Sequence, residues 1–174
     1  MSTIEERTKA PSEVDAFLDY IEKPPLAITD LREGYLYGGQ GGNIARIGIY
    51  DGVNPGDNSP EYTGYTNTQN GPIIISEVDL RHTASGKDIR ANTFVKGTFF
   101  GPAEEIGPVP SALLPSPNPN LLDWLITQDI AYVTARLRAL DEIRHKFGKL
   151  SMYAEVYEET QALRDLLSTS IRSY

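Results

Sequence analysis

The chain has 174 residues, 40% hydrophobic and 23% charged, so it can bury one core and is too apolar to be globally disordered. It carries a formal charge of −8, two histidines and no cysteine. That balance argues against a phosphate-tracking nucleic-acid binder, a disulfide framework or a thiol nucleophile, and leaves few groups for self-contained chemistry at neutral pH.

Residues 1–33 read as an N-terminal arm with one short helix. Ser12 can cap it, and Val14, Phe17, Leu18 and Ile21 recur at helical spacing until Pro24-Pro25 stops it. The Met1–Glu6 start has neither a basic segment nor an apolar run, so a secretory signal is not expected. From 34 to 100 the apolar period shortens to two. Strands are predicted at Gly34–Tyr37, Asn43–Tyr50, Pro72–His82 and Asp88–Phe100, separated by Gly, Asn, Pro and Asp. The last two form a hairpin across Thr83-Ala84-Ser85-Gly86 with Leu80 opposite Ile89. That register puts Ile74, Val78 and Leu80 on one face and pairs Asp79 with Arg90 and Arg81 with Asp88 on the other.

Residues 101–120 hold six of the twelve prolines and read as an extended connector. Leu113 and Leu114 in its middle imply that it packs on something. Residues 121–174 form a helical hairpin. Asn120 caps a first helix whose apolar set is Leu121, Leu125, Ile130, Val133, Leu137 and Leu140, and Gly148 suits the position past its end. The second helix runs from about Ser151 to Ser170 and carries Tyr153, Val156, Tyr157, Thr160, Leu163, Leu167 and Ile171 on one stripe. The expected fold class is α+β: a short N-terminal helix, a small antiparallel sheet at about 34–100, a Pro-rich connector and a C-terminal antiparallel helix pair.

Candidate chemistry is sparse. Gly38-Gly39-Gln40-Gly41-Gly42-Asn43 leads into a strand and lacks the Lys-Ser/Thr of a phosphate loop, so it reads as a flexible loop or bulge. The oxygen-rich run Asp51–Ser59 lacks the ligand spacing and distal Glu of an EF-hand; its residues are those of any turn, and no metal is assigned. His82, beside Ser85 and Asp88, lacks the convergence a triad needs, and His145, between Arg144 and Lys146, reads as a helix-end surface residue. Glu104-Glu105 and Glu158-Glu159 read as solvated carboxylates. No catalytic residue and no cofactor are assigned.

Five of the ten tyrosines lie between 35 and 65. Tyr35, Tyr37 and Tyr50 fit strands, whereas Tyr62 and Tyr65 fall in an expected loop Glu61–Asn70 and are the expected exposed contacts. The function this supports is a non-enzymatic assembly subunit, made in the cytoplasm and self-associating or packed among neighbouring subunits, with a virion component of a tailed phage as the reading within that class. Its contact residues are expected to be Phe17, Tyr62, Tyr65, Leu113, Leu114, Tyr153 and Tyr157, and neither nucleic acid nor membrane is an expected partner. The alternative is a carbohydrate- or Ca²⁺-binding module using the Tyr-rich loops at 50–70.

Overall fold

The computed structural model describes residues 26–39, 46–78, 80, 103–114, 118–147 and 151–172. The predicted N-terminal helix with Phe17, the 83–86 turn and the 88–100 strand lie outside these residues. Among the described residues five strands form one antiparallel sheet: β1 (Tyr35–Gly38), β2 (Ile47–Val53), β3 (Pro60–Thr68), β4 (Gly71–Val78) and β5 (Glu104–Pro108). Their spatial order is β4-β3-β2-β1-β5, a meander with its last strand returned to the far edge. Two helices follow, α1 (Leu121–Phe147) and α2 (Ser151–Arg172), and they pack against each other. The fold is α+β.

Strand β3 replaces the expected loop 61–70. Its Thr-Gly-Tyr-Thr-Asn-Thr sequence contains no aliphatic residue, yet Thr and Tyr suit a pleated surface. The true turn is tighter: the Thr68 hydroxyl accepts from the Asn70 N–H at 3.2 Å and donates to the Gly71 carbonyl at 2.6 Å. Gly71, at φ 111°, takes a conformation side chains resist. The connector is likewise more ordered than expected, because β5 forms within it and pairs with β1 from Tyr35↔Pro108 to Gly38↔Glu104. Its Pro108 sits on an edge strand of the described sheet, where a missing donor is tolerated.

The sheet separates two apolar clusters. On one face Leu36, Ile47, Ile49 and Tyr65 meet Leu125, Ile126, Tyr132, Val133 and Leu140 of α1 and Leu167 of α2. On the other, Tyr37, Tyr50 and Tyr62 gather with Leu31, Val78, Leu80 and Ala103. The three rings pack edge-on or tilted, with centroids 6.4 Å (Tyr37–Tyr50), 6.2 Å (Tyr37–Tyr62) and 5.8 Å (Tyr50–Tyr62) apart. Gly48 makes room for them: a Cβ there would lie 2.7 Å from Tyr62 Cβ.

A bulge in β4 overturns one expected register. The β3–β4 pairing shifts between Tyr62↔Val78 and Gly64↔Ile75, so Ile75 and Val78 share a face although three residues apart. Ile74 therefore does not share a face with Val78 and Leu80; it pairs with Tyr65 on the α1 side.

At the start of α1, the Asn120 carbonyl accepts from the Trp124 N–H at 3.1 Å. The side chain seen holding this junction is Asn118, which accepts from the Asn120 N–H at 2.9 Å and donates to the Ala112 carbonyl at 2.7 Å. No helix among the described residues is long and apolar enough to cross a membrane.

Candidate functional site: an ionic row between helix and sheet

The buried face of α1 runs Leu121, Leu125, Asp129, Tyr132, Val133, Arg136, Leu140, and two of those residues are charged. Asp129 is fully buried. Its carboxylate takes two bonds from Arg46, just before β2: Nε to Oδ1 at 3.1 Å and Nη2 to Oδ2 at 2.5 Å. The Tyr65 hydroxyl of β3 donates to the same Oδ2. One turn on, the Tyr132 ring lies against Gly38 of β1, where a Cβ would come within 2.8 Å of Tyr132 Cε1 and 2.9 Å of Ile106 Cδ1. Glycine is required there by space. At the far end Arg136 Nη2 donates to Glu104 of β5 at 2.9 Å and to the Tyr132 hydroxyl at 3.0 Å, with its guanidinium 5.0 Å from the Tyr132 ring centre. Two largely buried guanidinium–carboxylate–phenol groups thus tie one helix to β3, β5 and the residue leading into β2, with the Tyr132 ring resting on β1.

This arrangement suits docking better than turnover. Burial, reinforced by the Asp129 charge, pushes the Tyr65 hydroxyl far above its ordinary range. Burial likewise pushes Tyr132 up to about 12, against the opposing pull of Arg136. Both phenols stay protonated at neutral pH, and neither is tuned as an acid or base near it. Burial works against the Arg46 charge, but Asp129 outweighs it and the guanidinium is held above its usual value. Because both tyrosine values rise on folding, their contribution to stability is complete below pH 10 and lost as the pH climbs above it. In an alkaline denaturation series, the Tyr65→Phe/Tyr132→Phe variant should lose less stability between pH 9 and about 12 than the wild type.

The other candidates are used locally. In the Asp51–Ser59 run, Asn54 Oδ1 accepts from the Gly56 N–H at 2.7 Å. Asp57 Oδ1 accepts the Ser59 N–H at 3.1 Å and its hydroxyl at 2.7 Å. These bonds hold the Asp57 carboxyl below its ordinary value and close a turn with Asn58 at φ 60°. Among the described residues, no group of three or more His, Asp or Glu could hold a metal ion. Strand β1 ends at Gly38, and the Gly39 N–H that follows is bonded to the Arg46 carbonyl at 2.9 Å; residues 40–43 lie outside the described residues, as do His82 and Ser85. His145, Glu158 and Glu159 are exposed, whereas Glu104 is the partner of Arg136 rather than a solvated carboxylate.

The expected contact residues divide. Tyr62 is fully buried and Tyr65 nearly so, which corrects their reading as exposed: as strand residues at buried positions, their rings enter the two cores. The buried Tyr50, Tyr62 and Tyr65 also deprive a sugar-stacking surface of its rings. Leu113 and Tyr157 are half-buried against the main cluster, and Leu114 is 43% exposed. Tyr153 lies in α2 with its side chain outside the described set, and Phe17 lies outside it altogether. Sequence reasoning missed Arg46, Asp129, Tyr132 and Arg136. The available signal was their spacing: Asp129 and Arg136 interrupt the helical stripe Leu125–Val133–Leu140 at positions that must face inward. No protein-family model matches the chain, and neither a curated protein nor a solved structure matches it.

Proposed function

We propose that this protein is a non-enzymatic assembly subunit that associates with copies of itself, and within that class a structural component of a phage virion, synthesised in the cytoplasm. The observation that carries the self-association is on β4. Ile73 is 49% and Ile74 40% exposed, and as neighbours on a strand they point to opposite faces of the sheet. They belong to a stretch, 62–76, that holds no charged residue in a chain of net charge −8. An acidic chain that self-associates must do so where it does not repel itself, and an uncharged hairpin with apolar side chains on both faces meets that condition. Three features of the build support the virion reading. Strands β1 and β5 are only four and five residues long, Asn54, Asn58 and Asn70 lie between the strands, and a proline-rich connector is recruited as an edge strand of the described sheet.

The test is to compare the sedimentation of wild type with that of an Ile73→Lys/Ile74→Lys variant. Both side chains are exposed, so the variant should retain its unfolding midpoint. It should lose the oligomer that wild type forms at micromolar concentration. An unchanged oligomer in a folded variant would remove β4 from the contact.

A further inference from the structure

Three contacts fix where α1 lies. Asp129 meets Arg46 beside β2 and Tyr65 of β3, Tyr132 rests on Gly38 of β1, and Arg136 meets Glu104 of β5. From Asp129 to Arg136 the helix rises about 10 Å. From β2 across β1 to β5 is also about 10 Å. The helix therefore runs across the strands, with its acid over the sheet's base and its base over the sheet's acid.

Connectivity does not demand that direction. Residues 109–120 join β5 to α1, and twelve residues fully extended span roughly 40 Å. Five strands are only about 19 Å across, so the connector could deliver the helix start to either edge. The apolar partners discriminate poorly as well, because burial of Leu125, Val133 and Leu140 on Leu36, Ile47 and Ile49 is non-directional. The charges do discriminate. A reversed helix would put Asp129 beside Glu104 and Arg136 beside Arg46, two like-charge contacts with little water. A slide of one turn would separate both acid–base pairs.

We infer that the opposed polarity of the two ion pairs selects one direction and one register for α1 on the sheet, and that they specify orientation rather than supply net stability. Buried ion pairs often give little net stability compared with apolar groups of the same size, and specifying an arrangement is their best-attested role. This inference stands independently of the assembly reading.

The chain has no cysteine, so a nitroxide on Thr127→Cys, an exposed position two residues before Asp129, reports orientation without interference. In wild type its broadening should be strongest on β3 and β4 amides and weakest on β5. The apolar variant Arg46→Met/Asp129→Leu/Arg136→Met/Glu104→Leu should keep or raise its unfolding midpoint. It should also show a second population, about a tenth or more, in which β5 amides are broadened instead. Variants lacking only one pair should keep the wild-type pattern, since the remaining pair still penalises reversal. The inference is overturned if the apolar variant keeps the wild-type pattern alone. It is equally overturned if that variant fails to fold, because the pairs would then supply stability rather than orientation.

Discussion

Replacing Asp129 with alanine is expected to lower folding stability by about 3–5 kcal/mol, measured by urea titration. The loss exceeds that of two hydrogen bonds because of what stays behind. The Arg46 side chain is 17% exposed and would keep its charge with no buried counterion, and the Tyr65 hydroxyl would lose its acceptor. Native domains hold only about 5–15 kcal/mol in total, so this loss is a large share of the whole. Removing Arg46 as well should recover much of the loss: Arg46→Met/Asp129→Leu is expected within about 1–2 kcal/mol of wild type. If Asp129→Ala cost less than about 1 kcal/mol, the carboxylate would be solvated in practice and the ionic row no docking element.

Tyr62→Ala should be nearly as damaging, at about 3–5 kcal/mol, because it empties the centre of the second cluster. Tyr62 touches the rings of Tyr37 and Tyr50 and pairs with Val78 across the strands. The measurement also separates two roles for this tyrosine. A ring placed for contact with a partner would leave the unfolding midpoint of the isolated chain near wild type when truncated, whereas a core ring lowers it steeply. Tyr62→Phe should cost less than Tyr62→Ala, since the ring packing remains.

The fold was legible where period and turn chemistry agreed. Alternation located β1, β2 and β4 to within a few residues, and the 3.6-residue stripe with the Asn and Gly boundaries located both helices. It was illegible where the local signal was polar. Thr63, Thr66, Asn67 and Thr68 look like a loop until Tyr62 and Tyr65 are seen to anchor a strand between two ordered neighbours. The β4 bulge left no trace in sequence, so the face assigned to Ile74 was inverted. Proline content marked 101–120 as extended but could not show that Glu104–Pro108 finds a partner in β1, far upstream in the chain. The ionic row hid for a related reason. Searches for chemistry look for carboxylates near histidine or near one another, and here each carboxylate lies across a tertiary contact from an arginine 83 or 32 residues distant. The exposure of Ile73 and Ile74 was not legible either, because it depends on β4 lying at the edge of the described sheet.

Self-association is the claim on which the functional account stands, and the mass of the untagged wild-type chain in solution tests it most directly. Light scattering behind size-exclusion chromatography, at several micromolar concentrations, should return a multiple of 19.2 kDa that falls only on dilution. A constant 19.2 kDa across the series would contradict the account.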